Sequence, residues 1–382
     1  FITSNAWLDV GYGSALQEFL LTRAAVKLVI DNQERRSFER ADVNTVIVLL
    51  GAPTDARRPL PESLKHTARF VMVTVPFEET LNPVIWEEVE AATVRTTRQE
   101  YRVHPAPQSA LLSAGMNPER RHYDGDKWGG KYLRAPDIYW TIMEKGKDKL
   151  VRLGDIADVR FGIKTGANEF FYLDEEKIAR WGIEEEFLAW HLDSPRNCYR
   201  VLVSKQACVR LFLCGLETDR LRQTGALEYI RWGEKQGYHL RSTCRARRRW
   251  YDLGQPPLPK AAWPRTFFER HICYQLPANT YCSDRLYGVG GTGLNPSVLA
   301  FLNSTYTALL VETDGYHVNH GGIDTSVWWL KTVPVLPVRN CEVEEAFAKL
   351  CTRGIDLARL ELSDPNRRQL DEVVLSVLGL PT

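Results

Sequence analysis

The stretch Phe161-Gly-Ile-Lys-Thr-Gly-Ala-Asn-Glu-Phe-Phe-Tyr172 joins a glycine turn, a lysine and small hydrogen-bonding side chains to an aromatic run. Glycines at 162 and 166 permit positive φ, so the loop can fold tightly against whatever it contacts. The reading is a loop that displays Lys164, Thr165 and Asn168, with Phe170, Phe171 and Tyr172 anchoring it beneath as part of a strand running to Leu173. Lysine suits a phosphate oxygen, and asparagine and threonine suit phosphates or base edges. By spacing alone, the same residues also read as a polar hairpin loop between two core strands.

Downstream, Arg231 to Tyr251 carries seven basic residues with only Glu234 and Asp252 nearby, and Trp232, Trp250 and Tyr251 are interleaved. Neutralising several phosphates releases counterions, so such a patch supplies salt-sensitive affinity. Arginine also reads guanine bidentately. Arg245, Arg247, Arg249 and Trp250 are therefore expected DNA contacts, against the alternative of a solvated face paired with the acids at 184 to 186.

Net charge over the 382 residues is only +1, so whole-chain charge does not point to nucleic acid, and the length suits two or more domains. No apolar run reaches the length of a membrane span and no signal-peptide pattern opens the chain, which together predict a cytoplasmic protein with no membrane partner. The eight cysteines show no Cys-x-x-Cys pair, so reduced thiols and no metal are expected. His271 and Cys273 could share a metal on one strand, but nothing else supports a site there.

Period and punctuation predict strands over 1–5, 26–30, 45–50 and 70–75, with 45–50 a central strand buried on both faces. A helix over 14–23 is expected to bury Leu16, Phe19 and Leu20. Prolines and glycines mark loops from 76 to about 149, with a helix over 83–94. Beyond 151 come short strands over 200–203 and 207–213, then helices over 224–235, 296–310, 343–360 and 367–378. Gly288-Val-Gly-Gly-Thr-Gly293 matches Gly-x-Gly-x-x-Gly. Asn295, however, is the natural cap of the helix starting at Pro296, so the glycines lie outside it and read as a flexible loop.

The opening Phe1-Ile-Thr-Ser-Asn-Ala-Trp-Leu-Asp-Val10, then Val29-Ile-Asp31, Phe38-Glu-Arg-Ala-Asp-Val-Asn-Thr45, Leu153 to Val159 and Gly162 to Asn168 occur in an order that resembles the N6-adenine DNA methyltransferases of restriction-modification systems. The resemblance implies an α/β chain. Part of a class I methyltransferase (Rossmann-like) sheet would occupy 1–100 and a connecting region 101–150. A mixed α+β target-recognition domain over 151–340 and a helical segment over 341–382 would follow. It also implies S-adenosylmethionine as methyl donor, double-stranded DNA as partner, and Phe38 stacking on an adenine flipped from the duplex. The glycine-rich turn near His317, Asn319, His320 and Asp324 would pack the recognition domain. The family's acidic glycine-rich donor turn and its Asn-Pro-Pro-Tyr motif are absent. Two expectations follow: a fragment whose N-terminal catalytic half lies elsewhere, or a non-catalytic specificity subunit serving a separate catalytic chain.

Overall fold

β-Branched and aromatic runs in the N-terminal third form strands, as stiff side chains on a pleated surface favour. The computed structural model describes residues 1–9, 11–32, 44–52, 62–117, 121–318 and 321–381. Its first strands are β1 (Ile2–Ser4), β2 (Val26–Asn32), β3 (Thr45–Leu50), β4 (Thr67–Val73), β5 (Thr96–Thr97) and β6 (Tyr101–Pro107). They form one sheet in the order β1-β3-β2-β4-β6-β5. β2 and β4 run parallel and the other pairs antiparallel.

Successive side chains on a strand point to opposite faces. In β4, Ala68, Phe70 and Met72 enter one buried cluster, while Val71 and Val73 enter another. β4 is thus covered on both sides, as is its neighbour β2, whose Val26 and Val29 enter the first cluster and Leu28 and Ile30 the second. β3 is not the fully buried strand expected: Val46 and Val48 are buried, but Leu49 is 45% exposed. Its outer neighbour β1 has only three residues, all exposed, so little covers that side.

The helix α1 (Ser14–Arg23) has its expected bounds but not its expected face. Leu16 and Phe19 are exposed, and Gln17, Leu20 and Leu21 are buried. The Gln17 amide donates to the carbonyls of Trp7, Leu8 and Asp126, and its oxygen accepts from Tyr123 Oη and the Asp126 amide. Backbone groups that need partners select this polar residue for the interior.

The described residues divide into two compact units, Phe1–Trp140 with Glu312–Tyr316, and Thr141–Val311 with His317–Thr382. The second holds two four-stranded sheets. One orders Asp158–Phe161, Leu286–Gly290, Ala261–Pro264 and Tyr274–Gln275, all antiparallel. The other orders Tyr172–Leu173, Val209–Phe212, Leu188–Leu192 and Thr280–Cys282, the last pair parallel.

Several expectations are corrected here. Gly288 and Gly290 lie inside the Leu286–Gly290 strand, with Pro259 packed on Gly288, so this part of the glycine run is sheet and not loop. Residues 200–203 form no strand beyond a bridge from Leu202 to Gln275. Asn295 does cap a helix, its side chain accepting from the Val298 amide at 3.1 Å. That helix, Pro296–Leu302, stops eight residues short of 310, and a second one, Thr305–Asp314, follows. The cause is Asn303, buried and bonded through its amide to both the amide and the carbonyl of Cys273. The terminal helices are Cys341–Cys351, Ala358–Glu361 and Pro365–Leu378. No helix among the described residues is long and apolar enough to cross a membrane.

Candidate nucleic-acid interface

The loop after Phe161 is shaped by close backbone approach. A Cβ on Gly162 would stand 2.0 Å from the Ser283 carbonyl oxygen, and Gly166 has φ of +78° against Thr243. The amides of Gly162 and Ile163 donate to the carbonyls of Leu286 and Cys282, fastening the loop to the sheet. Residues Asn168–Phe171 then make one helical turn, so the expected strand begins only at Tyr172. Phe170 and Phe171 are fully buried. The Phe170 ring stacks on Tyr229 at 4.6 Å and leans on Trp250 at 4.7 Å.

The loop and the arginine stretch meet. Arg247 donates to the carbonyls of Lys164 (2.6 Å), Thr165 (2.8 Å) and Trp250 (3.2 Å). Arg249 bonds to both Glu217 and Asp252, and Arg248 approaches Glu217 at 3.3 Å. Arg241 pairs with Glu169 at 2.7 Å, a bond that holds the Glu169 carboxyl below its usual range. The Trp250 indole donates to Glu234. The pairing acids are these and not those expected at 184 to 186. Arg245 is exposed and has no ion pair with another described residue.

Lys164, Thr165 and Asn168 line a cleft of about 840 Å³. Lys164 and Asn168 are exposed, whereas Thr165 is buried and its hydroxyl bonds to the Asn168 side-chain oxygen. Arg196, Arg265, Arg270 and Arg285 line the same cleft, with Glu269, Asp284 and Asp324. Arg270 is occupied by the Ile355 carbonyl and the face of Tyr199, and Arg265 lies 3.8 Å from Asp324. Lys164, Arg196 and Arg285 form no ion pair with any described residue. Arg265 and Arg285 sit side by side, the amide of one bonded to the carbonyl of the other.

Arg196, Arg265 and Arg285 escape a sequence reading because each stands in a different segment; a backbone bond sets Arg265 beside Arg285, and Arg196 joins them only on the cleft wall. Arg245, Arg249 and Trp250 are not on this cleft. Phe38 lies outside the described residues, as do Asn319 and His320, while Asp324 accepts the Thr266 hydroxyl. His271 contacts the Leu302 carbonyl at 2.9 Å and stacks on Phe267, and no group of three metal-ligating side chains is found among the described residues.

The architecture is that of a mixed α/β protein with several sheets and a cationic cleft. Residues 125–323, more than half of the chain, match the family described as the C-terminal domain of the type II methyltransferase M.Eco57I. The chain belongs to that family. Its fold is similar to that of the type IIL restriction-modification enzyme MmeI, solved in complex with DNA, with a TM-score of 0.52 at 12% identity over 100% of this chain. The type IIG restriction endonuclease BpuSI gives a TM-score of 0.46 at 13% identity over 99% of this chain. The chain spans 47% and 46% of those two proteins, about half their length.

Proposed function

We propose that this chain is the DNA-reading part of an S-adenosylmethionine-dependent N6-adenine DNA methyltransferase of a restriction-modification system, acting on an adenine turned out of the duplex. The observation that carries the reading is the cleft of about 840 Å³ with Lys164, Arg196 and Arg285 exposed and unpaired among the described residues. Membership of a methyltransferase family supports it. In this reading residues 151–340 choose the sequence, 1–100 contribute Phe38 to the base pocket, 101–150 connect the two, and 341–382 close the chain.

Among the described residues the methyl donor finds no close-approach turn. The exits Ser4–Asn5 after β1 and Thr74–Pro76 after β4 have no glycine, so neither makes the close-approach turn a nucleoside requires. We place the donor site and the catalytic motif in a separate N-terminal half or a partner subunit. The exposed Phe1 and Ile2 at the edge strand β1 give that other half an apolar surface to cover.

The test is equilibrium binding of cognate and scrambled duplexes across a salt series. The parent chain is expected to bind both with a steep salt dependence. Lys164→Ala, Arg196→Ala and Arg285→Ala should each flatten the slope by about one unit. A parent chain that binds neither duplex at low salt overturns the reading.

A further inference from the structure

We propose that Phe268 is a wedge that enters the base stack of bound DNA and opens one step. The proposal rests on the cleft being a DNA interface. Phe267 and Phe268 are neighbours with opposite fates. Phe267 is 4% exposed and its ring packs on Trp263 and His271, whereas Phe268 is 61% exposed on the cleft. Every other aromatic on the cleft is engaged. Tyr199 has the Arg270 guanidinium 4.9 Å from its ring, and the Tyr274 hydroxyl donates to the Cys198 carbonyl at 3.1 Å. Among the described residues no ring or cation stacks on Phe268.

The position is also stiff. Thr266–Phe267 pairs with Ile323–Asp324, and the Val318 amide donates to the Gly322 carbonyl at 2.8 Å. A side chain at Gly322 would come within 3.0 Å of the Phe268 ring, so that glycine leaves the ring its place. An exposed phenyl on a fixed platform inside a cationic cleft needs an apolar partner on a polyanion. The faces of the bases are the large apolar surfaces DNA has, and they are reached only by unstacking. Arg265 and Arg285, which line the same cleft, would hold the flanking phosphates. The carboxylates of Glu269, Asp284 and Asp324 on the same cleft can accept hydrogen bonds from base edges such as the cytosine amine.

The experiment uses this chain with duplexes carrying 2-aminopurine at successive positions, and with end-labelled duplexes that report bending by energy transfer. The parent is expected to raise 2-aminopurine fluorescence severalfold at one step and to shorten the end-to-end distance. Phe268→Ala should abolish both while weakening affinity by about tenfold or less with the salt slope unchanged, and Phe268→Leu should keep most of the signal as a residual wedge. The inference is overturned if the parent binds without any fluorescence rise, or if the rise survives Phe268→Ala. Failure of the parent to bind any duplex removes the DNA reading itself and this inference with it, a result distinct from binding without unstacking.

Discussion

Arg247 and Arg249 show how a dense arginine run can hold a fold in place of a ligand. Arg247 bridges three carbonyls across 83 residues of sequence, and Arg249 is shared by Glu217 and Asp252. Hydrogen bonds from a charged donor contribute about 1.5–3 kcal/mol each, and partners left buried add to the loss. Arg247→Ala is therefore expected to lower stability by roughly 2–4 kcal/mol, read as a fall in the denaturation midpoint with unchanged slope. Arg249→Ala should leave the salt dependence of DNA binding alone, whereas Arg245→Ala should flatten it where the duplex runs beyond the cleft, since of the three only Arg245 has no ion pair or side-chain hydrogen bond with another described residue. Phe38→Ala in an intact enzyme should slow methylation and reduce 2-aminopurine fluorescence at the target base, with little effect on duplex affinity, because stacking on one base is worth ~1–3 kcal/mol. An unchanged methylation rate would remove Phe38 from the base pocket.

At the scale of elements, α1 is the instructive case. Its apolar residues suggest one face, but the backbone of the preceding turn and of Asp126 requires hydrogen bonds, and Gln17 supplies them. Gln17→Leu keeps the volume and strands those groups, so a loss of about 2–4 kcal/mol in unfolding free energy is expected. Phe19→Ser should change the stability of this chain by no more than about 0.5 kcal/mol, because its ring is 55% exposed. The start of the helix Pro296–Leu302 was legible because capping is local: an asparagine, then a proline, define it. Its end was not, because Asn303 answers to Cys273, 30 residues away. The loop at 162–168 was legible as a glycine turn for the same local reason. Its union with Arg247 was not.

For the whole molecule, buried titratable groups set a pH dependence. Burial pushes His104 and His191 down to about 4 and His271 down to about 3. Each binds a proton more readily unfolded than folded, so stability rises as pH climbs from about 4 toward 6.5 and is lost in acid. Between pH 7 and pH 5 the expected loss is about 2 kcal/mol for each histidine, seen as a falling thermal midpoint, and replacing His271 by glutamine should blunt it. Lys127, also pushed down by burial, to about 7, extends the rise on the alkaline side between pH 7 and 10. A midpoint that is flat from pH 5 to 8 would contradict this account. By itself the sequence determined what depends on near neighbours: β-branched runs, caps, the glycines that admit close backbone approach, and the motifs that carry the family. The tertiary structure alone decided which charges are neutralised and which line the cleft. Arg249 meets Glu217 across 32 residues, and Lys164, Arg196 and Arg285 converge from three segments. Coulomb and hydrogen-bond energies follow distance in space, and a one-dimensional pattern records distance only along the chain.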